Sequence, residues 1–211
     1  FIATSLAILF TFAIIYLISI RLFNVDFIKD SFELWRESFI QAINLSEQVS
    51  GQVVMSKDQI DLTVNIINAI IPAFITIIVA LLALTIISIN LPLLKRFKIN
   101  VPKFSQFKSM RLPKAVLWYY LIVLTVTIFI NPAVGTPLYV IILNFSVILW
   151  VLLTLQGVSF IYFVIDEKEL PKFLKVLTAF FSIPFYSIIL LVGVFDLGFN
   201  IRQMIVGKKD K

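Results

Sequence analysis

Apolar positions run along this chain in long unbroken blocks rather than in alternation. Val64–Ile89 holds 26 residues without a charge, and similar stretches lie at Phe1–Ile20, Ala115–Ile130, Pro137–Ile165 and Val176–Phe195. A hydrocarbon core about 30 Å thick needs roughly 20 apolar residues at a helical rise of 1.5 Å each. No water is available there for unpaired backbone groups, so only helices and closed barrels can cross. The blocks lack the period-two alternation of a barrel strand, which leaves helices. The pattern predicts an all-α polytopic transmembrane bundle of about five spanning helices, forming a single domain over residues 1–211. The first block lacks the basic flank and small-residue cleavage site of a signal peptide and reads as a span.

The polar segments between the blocks differ in character. Residues 21–62 carry seven acids against four bases. Within them Phe32, Trp35, Phe39 and Ile43 recur at spacings of three and four, one face of an amphipathic helix. Lys29, Asp30, Glu33, Arg36 and Glu37 take the other faces. An interfacial helix on the bilayer surface and a helix packed on the protein's own spans both fit. Ser56 followed by Gln59 resembles a capping box that opens the second span. That span carries Asp61, Asn65, Asn68 and Pro72 on one face, spaced four, three and four apart. Interhelical hydrogen bonding and a ligand cavity both account for such a stripe. Asp61, Asn65 and Asn68, with Asn144 and Gln156 further on, are the candidate ligand-binding groups. For Gln156 a hydrogen bond to a neighbouring helix backbone is the alternative.

Residues 95–114 hold Lys95, Arg96, Lys98, Lys103, Lys108, Arg111 and Lys114 and no acid. Lys and Arg keep short loops cytoplasmic, so this loop is placed inside and the acidic 21–62 loop outside. Lys95, Arg96, Lys98, Lys103, Lys108 and Arg111 are candidate contacts for lipid headgroups or a partner. Phe97, Phe104 and Phe107 among them suit the headgroup boundary better than nucleic-acid stacking. Pro72, Pro113, Gly157 and Pro184 punctuate the helices, and the Pro137–Ile165 block is long enough to tilt or to break at Gln156-Gly157. Asp196 and Arg202 lie six apart, about 120° from facing each other on a regular helix, and read as a salt bridge or helix-end cap rather than an acid–base pair. Strict alternation of five spans puts the lysine-rich end of the sequence outside, against the positive-inside tendency. Either one span is miscounted near Gly157 or that end is an exception.

Composition narrows the chemistry. Sixty per cent of residues are hydrophobic, 14% are charged, the net charge is +6, and the sequence contains neither cysteine nor histidine. The commonest general base, the commonest metal ligand and any thiolate are therefore missing. No phosphate loop or zinc spacing is present. An enzyme has little material to work with, and no metal or cofactor is implied. The bilayer and other membrane subunits are the partners to expect, not nucleic acid. Oligomeric state is not encoded in any pattern here.

Three blocks carry a family resemblance. The first is Lys95-Arg96, Val101-Pro102, Phe104, Phe107 and Arg111-Leu112-Pro113. The second is Leu155-Gln156-Gly157. The third is Leu170-Pro171 followed by Asp196-Leu197-Gly198-Phe199-Asn200-Ile201-Arg202. In this order they resemble the YybS-like family of bacterial integral membrane proteins, a domain of unknown function, over essentially the whole chain. Members usually carry more chain at the N-terminus, and the absence of an initial Met agrees with an N-terminal portion missing here. The resemblance implies a multi-pass protein of the bacterial inner membrane. It also implies similarity to the substrate-binding S components of energy-coupling-factor transporters, hence a small-molecule binding or transport-related subunit. The family is often encoded beside a membrane phosphodiesterase for cyclic di-AMP, which implies instead a non-catalytic scaffold or regulatory partner.

Overall fold

A computed structural model of the chain describes residues 2–51, 55–98, 106–199 and 201–206. Among these residues every regular element is helical. They sort into two compact units. The first comprises Phe1–Val101 with Ala133–Val140, the second Pro102–Pro132 with Ile141–Lys211.

In the first unit, α1 (Ile2–Phe23) and α2 (Phe27–Ser50) pack against α3 (Lys57–Arg96). Asp26 caps α2 by accepting from the Lys29 amide, and it also accepts from the Tyr16 hydroxyl at 3.1 Å. Tyr16 and Phe12 of α1 both meet the Phe27 ring edge-on. The expected amphipathic helix is present and longer than its motif, because Gly51 ends it with a left-handed φ of 66°. Phe32, Trp35 and Phe39 stack in a ladder along it, and Ile43 is buried. The capping box forms at the start of α3: Ser56 accepts from the Gln59 amide while the Gln59 side chain accepts from the Ser56 amide. With 40 residues, α3 extends well beyond its uncharged run, and it tolerates both Pro72 and Pro92 in its interior.

In the second unit, a single turn of 3-10 helix at Phe107–Ser109 leads into α4 (Ala115–Phe129). Then come α5 (Pro137–Glu167), α6 (Phe173–Phe181), α7 (Tyr186–Phe199) and α8 (Ile201–Val206). Val116 and Val123 of α4, Leu149 and Leu153 of α5, and Leu190 and Leu197 of α7 form the core. Leu112, Tyr120, Ile142 and Val194 close around it. α5 and α7 cross backbone to backbone at two glycines. A Cβ on Gly157 would lie 2.0 Å from the Ile189 carbonyl oxygen, and one on Gly193 would lie 2.1 Å from that of Leu153.

Three helices, α1, α3 and α5, are long and apolar enough to cross a membrane, or four spans result if the bent pair α6–α7 counts as one. The all-helical reading stands, while the expected count of about five loses its last straight member. Val176–Phe195 is not one rod: α6 and α7 meet at 112° across Ser182–Phe185, where Pro184 withholds a backbone donor. α4, at 15 residues, falls short of a full span by length. Conversely, α5 does not break at Gln156-Gly157. Gly157 serves close approach there, and its helical hydrogen bonding continues.

Candidate functional site

The second unit is organised around a buried polar cluster. Gln156 and Ser159 lie three apart and share one face of α5. Asp196 comes from the last turns of α7, and Arg202 from α8. The two lie six residues apart, and the long Arg202 side chain brings its guanidinium back to the carboxylate. Nε and Nη2 of Arg202 each lie 3.0 Å from Asp196 Oδ2. Asp196 is 0% exposed and Arg202 8%.

The remaining capacity of both groups is taken up locally. Gln156 donates from Nε2 to Asp196 Oδ2, and its Oε1 accepts from the Leu112 amide at 2.9 Å. Arg202 donates from Nη1 to the Lys108 carbonyl at 2.6 Å and from Nη2 to Ser159 Oγ at 3.2 Å. The Ser159 hydroxyl lies within reach of the Phe107 and Met110 carbonyls at 2.8 and 3.0 Å. The guanidinium carbon also sits 5.4 Å from the Phe163 ring centre and 5.9 Å from that of Phe160, within cation–π range. A buried ion that loses its partner costs several kcal/mol, and this cluster pairs its charges completely. Its geometry is that of a clamp: Asp196 is committed to Arg202 and Gln156.

Two of the concavities in this unit bear on function. A basin of about 400 Å³ at the charged end of the clamp is lined by Lys108, Arg111, Phe163, Asp166, Glu167 and Arg202. Asp166 there is gripped by two ammonium groups, Lys108 at 3.0 Å and Lys175. A second pocket, about 330 Å³, lies between the middle of α5 and the α6–α7 bend. Val147, Trp150, Val151 and Thr154 form one wall, and Ser182, Ile183 and Tyr186 the other. The Trp150 and Tyr186 rings in its lining stand 6.5 Å apart. No charged residue lines it.

The sequence candidates distribute unevenly over this architecture. Asp61, Asn65, Asn68 and Pro72 lie on an exposed face of α3 rather than around a cavity. The two asparagines occupy the first turns of the uncharged run. Asn144 is half-buried on α5 and partnered. Gln156 joins the clamp and bonds a backbone amide, the simpler of its two expected roles. Lys95, Arg96 and Lys98 are exposed at and after the end of α3. Lys103 and Phe104 lie outside the described residues. Lys108 pairs with Asp166 instead of standing free, and exposed Arg111 borders the basin. Pro113 is exposed, and its carbonyl accepts the Val116 amide at the start of α4. Pro184 sits in the α6–α7 turn. Sequence reasoning missed Ser159, Gly193 and the pocket residues Trp150, Thr154, Ser182 and Tyr186. The three-residue step from Gln156 to Ser159 was a usable signal.

Comparison with known proteins agrees with the helical pattern. The family described as "Predicted membrane protein (DUF2232)" matches over residues 1–197. The chain is similar to "Uncharacterized protein YybS" of Bacillus subtilis (strain 168), at 28% identity over 195 residues. That alignment covers 90% of this chain and 63% of the relative, so the chain spans less than two thirds of that protein. No solved structure matches.

Proposed function

The chain belongs to the DUF2232 family of predicted membrane proteins, and from that premise we propose that it is a non-catalytic, small-molecule-binding subunit of the bacterial inner membrane. The supporting observation is the pocket between Trp150 and Tyr186. Its volume of about 330 Å³ lies in the range of small-molecule sites. Its walls are apolar and aromatic, with the Thr154 and Ser182 hydroxyls as the polar groups that orient a guest. The absence of charge from its lining selects a neutral, ring-bearing molecule. The bend between α6 and α7 resembles the interrupted helices that build transporter sites. This reading also suits the likeness to S components drawn from the sequence. Any energy coupling would come from partner subunits, since no nucleotide-binding motif is present.

The test is native mass spectrometry of protein purified from its own membranes in mild detergent. Wild-type protein retains a small-molecule adduct, and Thr154→Phe, which fills the pocket, loses it. Bare wild-type protein, or an adduct that survives Thr154→Phe, overturns the reading.

A second reading, a scaffold or regulatory partner, draws on the outward polar face of α3. Asn65 and Asn68 are exposed at the start of a span, where a partner helix could hydrogen-bond to them. Replacing both with Leu would then abolish partner recovery while leaving the adduct intact.

A further inference from the structure

We infer that α6 and α7 are the two limbs of a re-entrant hairpin, which enters the bilayer and leaves it by the face that carries Lys108, Asp166 and Arg202. The entry limb is fastened at the charged end of α5. Lys175 pairs with Asp166, and the Tyr162 hydroxyl donates to the Lys175 carbonyl at 2.9 Å. The tip lies one nine-residue limb away, about 14 Å along α6. Ser182, Ile183 and Tyr186 share a pocket with Val147, Trp150 and Val151. Trp150 precedes Asp166 by 16 residues, about 24 Å along a helix, and so stands near the middle of the 31-residue α5.

The exit limb comes back. Asp196 meets Gln156, and Arg202 meets Ser159, the Lys108 carbonyl and the rings of Phe160 and Phe163. Phe163 is three residues from Asp166, about 5 Å along the axis. A merely kinked span would carry Arg202 to the opposite end of α5. Both ends of the hairpin instead converge on one cluster of Lys, Arg and Asp side chains, and the 112° bend supplies the reversal.

Charge placement supports the same path. Lys108, Arg111 and Arg202 gather at one face, and Lys and Arg mark the cytoplasmic side. With α4 as a short crossing that returns the chain to the far side before α5, the lysine-rich end of the sequence follows the same tendency and the conflict in strict alternation disappears. Turn backbone at membrane depth needs its polar groups satisfied, and here the Ser182 amide donates to the Thr178 carbonyl and the Phe185 amide to that of Phe181. The inference concerns the course of the backbone and holds whether or not the pocket takes a ligand.

The sequence contains no cysteine, so single cysteines report their own side of the membrane. Lys168→Cys and Gln203→Cys are exposed positions at the two ends of the hairpin, and Val134→Cys marks the other end of α5. An impermeant maleimide labels Lys168→Cys and Gln203→Cys in inverted vesicles, and Val134→Cys in spheroplasts. Labelling of Gln203→Cys in spheroplasts, together with Val134→Cys, overturns the inference. Fusions placed after Val206 read the same question without thiol reactivity. Fluorescence of a green fluorescent protein supports the hairpin, and activity of alkaline phosphatase there refutes it.

Discussion

Replacing Arg202 by Met tests the clamp directly. Met keeps much of the side-chain volume but removes the charge and every donor. Asp196 would then stay fully buried with only the Gln156 amide beside it, and Ser159 and the Lys108 carbonyl would each lose a bond. Breaking one half of a buried ion pair costs about 3–5 kcal/mol. For a chain of this size each kcal/mol moves the midpoint by about 2–4 °C. The expected fall in melting temperature is therefore at least about 6 °C, read by intrinsic fluorescence in detergent with monodispersity checked alongside. The double variant Asp196→Leu/Arg202→Met removes both charges and should recover at least half of the loss. A single substitution costing under about 1 kcal/mol, the level of a surface pair, would refute the buried clamp. So would a double variant whose loss is simply the sum of the singles.

Other substitutions probe separate links. Gly157→Ala and Gly193→Ala each press a methyl onto a carbonyl, and each should cost about 1–3 kcal/mol or more. Gly198→Ala, whose Cβ meets nothing nearer than 3.8 Å, should leave the midpoint unchanged or raise it. Ser159→Ala removes both a donor and an acceptor of the clamp and should cost about 1–3 kcal/mol by the same melting assay. Ser56→Ala breaks the capping box and should cost about 0.5–2 kcal/mol, visible as faster hydrogen exchange confined to the first turn of α3.

The helical class was legible because a bilayer leaves an apolar run almost no other conformation, and Ser56 with Gln59 marked a helix start at single-residue precision. The Asp196–Arg202 bridge was also readable, although regular helix geometry sets the two positions about 120° apart and the reach of the arginine side chain has to close the gap. What escaped was long-range. Nothing local distinguishes Gln156 facing a cavity from Gln156 facing Asp196, 40 residues away. The glycines of the α5–α7 crossing differ from neighbouring apolar residues only in what they lack. Pro184 was seen in the last apolar run, but its consequence was not, because a proline inside a helix allows anything from a slight kink to a reversal. The stripe on α3 had the right period and a different environment, since periodicity places residues on a face without saying what that face meets.

The clamp also sets an order of events during synthesis. α5 emerges from the ribosome about 30 residues before Asp196 and Arg202 do. Gln156 therefore leaves the ribosome with Leu112 ahead of it and its carboxylate partner still inside. The clamp therefore closes only once α7 and α8 have emerged, and a nascent polypeptide stalled before Asp196 would carry Gln156 without its carboxylate partner.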